Sequence, residues 1–539
     1  MHKEVDFIAV GTGLGGISGA LAAHDAGAEV LILEKSKKLG GVCAYSGGEV
    51  FVPCNHLAED NTTDAKAYLD FLAGGYADEK LAEKLFRLGP QVAKWMADKA
   101  GVKWQVIEDF PDYYYPKAPG SAPSGRYLEC ELYDGHRLGD WRKLSYTTPH
   151  MPPGISHEEL FGWGGLSAMM TWDFATMGKR VAKDIRGMGP AMMGWFLENA
   201  LITRGIECWN EAPVVEVLTE NGRAVGVVVE RHGERITVRA RKGVLLAIGG
   251  YDWNPEMAKH FEGLPDWNSM CQPHLTGDNI ILGGELGASL AGVPSYNLGM
   301  FFGYQVPGET HDGQPLWRAS WECGYPHAIL VNKAGERFAD ESFYRDYLPR
   351  CHDWNGVDQT HPNYPPVLVF DQNYRDKYAF CTWFPGQPVP ENFLAKADTP
   401  EELAEKLGVD PAGMARTIER FNSFADTEVD PDFGRGTYPW AAMMTGDRSR
   451  PNPNMGPLNK APYYGIKLTA VGVGVNAVGL KTNDFAQVMH VRGRPIEGLY
   501  AAGNSAALLD TGAGYQSGLS NLRGMTWGWV AGRHAMTGE

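Results

Sequence analysis

Apolar and polar residues follow two different periods along this chain, and the switches between them mark its elements. Val5-Asp6-Phe7-Ile8-Ala9-Val10 is a short apolar run of strand character. Gly11-Thr12-Gly13-Leu14-Gly15-Gly16 follows, then small residues to Gly27 that suit a tightly packed helix. A second apolar run, 30–33, ends at Glu34. Tyr68, Phe71, Leu72, Leu81, Leu85, Val92 and Trp95 recur near helical spacing and predict a helix over 64–99. Periodicity is lost over 105–190, a Pro-, Met- and aromatic-rich excursion that covers a site or forms a subunit contact. A helix is expected over 190–204. Strands are expected over 206–209, 212–219 and 224–230, with the Asn221-Gly222 turn making a hairpin. Residues 236–240 then lead into a parallel strand, 244–248, ending in Gly249-Gly250. From 278 to 458 strand signals (328–332, 367–370) alternate with helical ones (401–407, 411–424). An apolar strand beginning at Ile496 and closing on Gly503-Asn504 rejoins the first sheet.

The order strand, glycine loop, helix, strand and acid carries chemistry. Gly11 permits a tight turn, Gly13 lets backbone approach a pyrophosphate, and Gly16 lets the helix pack on the sheet. The helix N-terminus faces the phosphates, and Glu34 suits a ribose hydroxyl. A second loop, Leu39-Gly40-Gly41-Val42-Cys43-Ala44-Tyr45-Ser46-Gly47-Gly48, brings further N–H groups to a phosphate or flavin ring. These segments predict a dinucleotide-binding α/β fold interrupted by an inserted domain.

The 539 residues carry a net charge of −16, which argues against a nucleic-acid surface. Eight scattered cysteines without a C-x-x-C pair give no support for a disulfide framework, zinc site, iron–sulfur cluster or attached haem, and His274 and His327 read as ordinary polar residues rather than metal ligands. Reduced thiols and a first strand starting at residue 5 suggest a cytoplasmic protein. No run of about 18 apolar residues is present to span a membrane.

Together these segments resemble the flavoprotein family of fumarate reductases and succinate dehydrogenases, and within it the 3-ketosteroid dehydrogenases. The likeness runs nearly end to end. It includes both glycine loops, Ala247 to Asn254, Thr276-Gly277-Asp278, the stretch from Val331 to Phe338, Asp430-Pro431-Asp432-Phe433-Gly434-Arg435-Gly436 and the C-terminal pieces 498–504 and 525–534. The resemblance implies a discontinuous, Rossmann-like FAD-binding domain (1–277 and 459–539) and an inserted α+β catalytic domain (278–458). It implies FAD held non-covalently by Gly11, Gly13, Gly15, Gly16, Glu34, Lys35, Gly40, Gly41, Ser46, Gly47, Gly48, Val215, Ala247, Gly249, Gly503, Asn504, Ser520 and Leu522. Arg337 and Arg435 read as structural ion-pair residues.

The activity so implied is α,β-desaturation of a cyclic ketone, a 3-ketosteroid or a smaller cyclohexanone. A base removes the α proton, donors hold the enolate oxygen, and flavin N5 takes the β hydride. By position the base resembles Tyr344, its helper Tyr113 or Tyr114, and the carbonyl donors Tyr515 and Gly518, with Ser517 as a proton-handling hydroxyl. Free tyrosine titrates near pH 10, so ionising it at pH 7 costs about 4 kcal/mol, and a neighbouring donor or positive field is required. Gly514-Tyr515-Gln516-Ser517-Gly518 departs from the family's Tyr-Pro-Gly-x-Gly, and no proline precedes Tyr344. Both departures point to a reshaped carbonyl pocket, which leaves room for a cyclic ketone smaller than a steroid as well as for a 3-ketosteroid. The alternative is fumarate reductase-like reduction of an activated alkene, which wants arginines where this chain carries tyrosines. The partners implied are the ketone, an unidentified electron acceptor and, through the excursion, a second copy of the chain in a homo-oligomer.

Overall fold

The computed structural model describes residues 2–297 and 299–539. Its central sheet is built on β1 (His2–Val10), which is followed by α1 (Leu14–Asp25) and β2 (Val30–Leu33). The two strands pair in parallel, Val10 opposite Leu33. Strand Glu234–Leu246 lies parallel on the other side of β1, with Leu246 opposite Val10, and strand Pro495–Ala501 lies beside it, with Ala501 opposite Leu246. Glu207–Trp209 completes the parallel set next to β2. Val10, Leu33, Leu246 and Ala501 therefore end at one level. The residues that follow them, Gly11, Glu34, Ala247 and Ala502, open together on one crevice at the carboxyl edge of the sheet. Ligands of open α/β sheets bind at that edge. The second half of β1, β2 and residues 243–246 and 498–501 of the two strands beyond β1 are buried on both faces, which explains their apolar runs.

The expected hairpin forms, Val214–Glu220 against Arg223–Arg231. The two strand segments expected at 236–240 and 244–248 are one strand, Glu234–Leu246. Its first half pairs antiparallel with the hairpin, and along its length it pairs parallel with β1. The single helix expected over 64–99 is instead two, α2 (Thr62–Ala73) and α3 (Glu79–Asp98). Gly74 and Gly75 separate them with φ of 59° and 82°, a left-handed turn that hydrophobic spacing alone does not register. The helix expected over 190–204 is Met188–Leu197, continued by one π-helical stretch, Glu198–Thr203.

The C-terminal helix Leu519–Thr537 packs along α1 through facing glycines. A Cβ on Gly528 would stand 2.1 Å from the Gly15 carbonyl oxygen, and one on Gly532 would stand 2.3 Å from that of Gly19. Elsewhere, strands Ala328–Val331, Val367–Asp371, Tyr463–Lys467 and Ala395–Ala397 form a separate antiparallel sheet. Helices Pro400–Leu407 and Pro411–Asn422 cover it with their own apolar core.

Candidate active site

The crevice at the sheet's edge opens into a continuous cavity of about 590 Å³. Its nucleotide-like end is built by the first glycine loop. Gly11 adopts φ 102°, and a Cβ there would overlap the Ala247 carbonyl oxygen at 2.2 Å. Gly16 sits over Gly11, where a Cβ would fall 1.9 Å from the Gly11 oxygen. Gly13 is the N-cap of α1 with no side-chain cap, and nothing lies within 4 Å of where its Cβ would be. The N-terminus of α1 thus meets open cavity with bare backbone, a cradle for an anion. Glu34 is held at the end of β2. Its Oε2 accepts from the Thr12 N–H (3.0 Å) and hydroxyl (2.5 Å), and its Oε1 from the Ser36 N–H (2.9 Å). Both loops, the uncapped helix and an acid beyond the second strand are the donor and acceptor set that an FAD pyrophosphate and ribose require, so the residues present fit that group.

Most of the residues expected at the cofactor line this cavity: Gly11, Gly13, Gly15, Glu34, Lys35, Gly41, Ser46, Gly47, Ala247, Gly249, Gly503, Asn504 and Ser520. Five others lie behind the wall. Gly16 and Gly40 support the loops. Gly48 packs on Met188 and Gly189, Leu522 sits beneath Gly89, and Val215 is replaced on the lining by its neighbour Val214, since adjacent strand residues face opposite ways. Lys35 is committed to Thr276 Oγ1 (2.6 Å) and Asp278 Oδ2 (2.9 Å).

The other end of the cavity gathers the expected catalytic side chains. Tyr344 is the first residue of helix Tyr344–Cys351, and the segment before it is tied down by buried ion pairs. Arg337 bonds Glu341 (2.6 Å) and Asp430 (2.8 Å), and Arg435 bonds Glu341 at 3.1 Å. These two arginines are structural, as expected. Tyr113 is set by its neighbour Asp112, whose carboxylate is paired at 2.7 Å with buried Arg126. The two tyrosines meet: the Tyr344 hydroxyl donates to the Tyr113 oxygen at 2.8 Å, under the Trp440 ring. Tyr114 turns away and packs edge-on against Phe71 and Phe343, outside the cavity lining. Tyr113, of the two helpers left open by the sequence, is the one that faces the cavity.

Tyr515, Ser517 and Gly518 lie on the loop entering the terminal helix. Gln516 explains the altered pattern there. Its buried amide accepts from the Tyr68 hydroxyl at 2.6 Å and donates to Tyr127, which pins the loop to α2 and its surroundings. Gly518 is the N-cap of the terminal helix at φ 77°, and a Cβ would stand 2.5 Å from the Phe51 nitrogen. Burial pushes the phenols of Tyr344, Tyr113 and Tyr515 well above the ordinary tyrosine range. One group that the sequence reading passed over acts against this. The buried Arg345 guanidinium lies 4.0 Å from the Tyr344 ring centre and 5.0 Å from that of Tyr515, and its charge favours ionisation of both. Its only sequence signal is its place beside Tyr344. Glu49 and His157, which also line the cavity, went unmarked, as did Trp440.

Residues 105–190, expected to be irregular, hold short elements such as Tyr127–Cys130, His157–Gly162 and Phe174–Ala182 between loops, and supply much of the distal wall, including Met151, Leu160, Phe161, Leu166, Met169 and Trp172. The excursion therefore covers the site. Among the described residues no cluster of three or more His, Cys, Asp or Glu side chains is arranged to hold a metal, and no helix is long and apolar enough to cross a membrane.

The fold and this site define a flavoprotein: the chain belongs to the FAD binding domain family, which matches residues 6–520. Within it, the chain is similar to 4-oxocyclohexanecarboxylate 2-dehydrogenase of Sinomonas cyclohexanicum, 32% identical across 99% of this chain and 93% of that protein. It is also similar to 3-oxosteroid 1-dehydrogenase of Mycobacterium tuberculosis, 30% identical across 99% and 98%. The crystal structure of 3-ketosteroid delta1-dehydrogenase from Sterolibacterium denitrificans, in complex with 1,4-androstadiene-3,17-dione, superposes with a TM-score of 0.90 at 29% identity over all of both chains. The protein is a ketosteroid dehydrogenase-like, FAD-dependent oxidoreductase that acts on CH–CH groups.

Proposed function

We propose that this protein desaturates a cyclic ketone between the carbons α and β to its carbonyl. The observation that carries the reading is the Tyr344–Tyr113 hydrogen bond at 2.8 Å, placed in the same cavity as the nucleotide cradle, with the Arg345 guanidinium near the rings of both Tyr344 and Tyr515. Tyr344 takes the α proton, and its own hydroxyl proton leaves along the hydrogen bond it donates to Tyr113. Tyr515 and the Gly518 N–H, at the positive end of the terminal helix, hold the carbonyl oxygen as it becomes an enolate. FAD, when bound, supplies the hydride acceptor for the β carbon. The apolar distal wall suits a hydrocarbon ring and excludes water from the enolate.

The relatives' names support a ring ketone as the substrate class. The fumarate-type alternative gains nothing here, because the lining Arg318 is committed to Glu309 at 2.8 Å and Lys35 to Asp278. We read the chain as a discontinuous Rossmann-like unit (1–277 and 459–539) carrying a catalytic unit (278–458) that delivers Tyr344 and Arg345 to the cofactor.

Anaerobic mixing of the FAD-loaded protein with a 3-ketosteroid and with a 4-substituted cyclohexanone tests the proposal. The expected result is bleaching of the flavin absorbance with one of them and a product two hydrogens lighter. Tyr344→Phe is expected to slow the bleaching about 10²–10⁴-fold. A protein that binds FAD, shows no bleaching with any ring ketone and is reoxidised by fumarate would overturn it.

A further inference from the structure

A buried carboxylate beside the tyrosines is left without a role in that scheme. Glu49 follows the second glycine loop and lines the cavity, 12% exposed. Its Oε1 accepts the hydroxyl of Ser517. Its Oε2 is buried and, among the described residues, has no hydrogen-bond donor. The Nε2 of His157 lies 3.8 Å from that oxygen. His157 is anchored from behind, its backbone N–H on Glu129 Oε2 at 2.8 Å and its Nδ1 3.4 Å from the same atom.

The two glutamates differ in a way that separates structure from chemistry. Glu129 is fully buried and satisfied by three N–H donors, from Gln105 (2.9 Å), His157 (2.8 Å) and Glu158 (3.2 Å). That is how a structural carboxylate is kept ionised. Glu49 stands in the cavity wall with half of its acceptor capacity unused. A buried charge left under-satisfied costs stability, so packing gives no reason for it.

We propose that Glu49 is the final proton acceptor of a relay that runs from Tyr344 through Tyr113 and Ser517. The inference rests on the tyrosine reading above. The donors point one way, since Tyr344 donates to Tyr113 and Ser517 donates to Glu49. Tyr113 and Ser517 line the same cavity, where the Ser517 side chain acts on the Tyr113 phenol and favours its ionisation, so the two pairs adjoin. As the α C–H bond breaks, its electron pair stays on the substrate as the enolate, and its proton bonds to the Tyr344 oxygen. The Tyr344 proton moves to Tyr113, that of Tyr113 to Ser517, and that of Ser517 to Glu49 Oε1. One carboxylate becomes one carboxylic acid, and all three hydroxyls are regenerated. The relay removes the need for a standing phenolate among buried tyrosines, which burial disfavours. His157 stands beside it: burial opposes the imidazolium, but Glu129 and Glu49 raise its pKa above the ordinary value, which favours a positive charge 3.8 Å from Glu49 Oε2.

The test compares Glu49→Gln, Glu49→Asp and Tyr344→Phe in the FAD-loaded protein, each checked for bound flavin and ketone affinity. Glu49→Gln is expected to slow anaerobic bleaching by about 10²-fold with ketone affinity unchanged, and Glu49→Asp to recover part of the rate. A second readout does not depend on rate. Infrared difference spectra on mixing with the ketone should show a protonated-carboxyl band in the wild type and in Glu49→Asp, and none in Glu49→Gln. Wild-type bleaching in Glu49→Gln with slow bleaching in Tyr344→Phe overturns the relay alone. Wild-type bleaching in Tyr344→Phe overturns the tyrosine reading and the relay with it. A carboxyl band that persists in Glu49→Gln also overturns the relay.

Discussion

Arg345 shows how one side chain changes the chemistry of its neighbours. Three buried phenols are poor acids on their own, and the guanidinium against two of their rings is the positive field that a tyrosine base requires. Arg345→Met, similar in volume and uncharged, is expected to slow flavin reduction about tenfold or more while FAD binding persists; stopped-flow absorbance measures both. Tyr515→Phe removes one of the two proposed carbonyl donors and is expected to cost about 10²–10³-fold in the same step, in line with the loss of one oxyanion hydrogen bond. The tyrosines were legible because their residue type and loop positions follow the family pattern. Glu49 and His157 were not, because their roles come from neighbours far away in sequence: Glu49 meets Ser517 only after the terminal helix has docked. Arg345 adjoins Tyr344 in the chain, but that its guanidinium also faces Tyr515 is decided by the fold.

At the scale of elements, glycines decide where backbone can approach backbone. Gly528 faces the Gly15 carbonyl with no room for a methyl, so Gly528→Ala forces α1 and the terminal helix apart. Overpacking of this kind costs about 1–3 kcal/mol, and a lower thermal midpoint with weakened FAD retention is expected in calorimetry and gel filtration. The first βαβ unit was readable because every local signal agreed: apolar runs, a turn glycine, a small-residue helix and an acid. The split between α2 and α3 was not, because apolar spacing continues through Gly74-Gly75 while the chain turns. The join within Glu234–Leu246 was hidden for the opposite reason. Polar residues interrupt its apolar pattern, yet one strand pairs with the hairpin over 234–239 and with β1 from Thr237 onward, through an irregularity between Ala240 and Gly243.

The whole molecule couples cofactor, charge and stability. FAD binds the folded chain, so adding it to deflavinated protein is expected to raise the thermal midpoint, by an amount equivalent to about 2.7 kcal/mol at a hundredfold excess over Kd. Glu262 gives the stability a pH dependence. Burial raises its pKa from 4.5 to about 7, although Tyr251 (2.7 Å) and the Ala477 N–H (3.0 Å) bond it. The folded state prefers this carboxyl protonated. Its contribution is complete below pH 4.5 and is lost as the pH rises through 7. Chemical-denaturation midpoints should therefore fall across that window, and Glu262→Gln should flatten the fall.

The sequence by itself determined the parallel sheet, the glycine loops, the acid after β2 and the types of residue at the site, because each depends on local geometry or on the period of burial. Only the tertiary structure decided that Tyr113 rather than Tyr114 meets Tyr344, that residues 105–190 roof the cavity, and that an arginine and a glutamate flank the tyrosines. Those outcomes depend on which surfaces the folded chain brings within hydrogen-bonding distance, and no one-dimensional pattern of hydrophobicity carries that information.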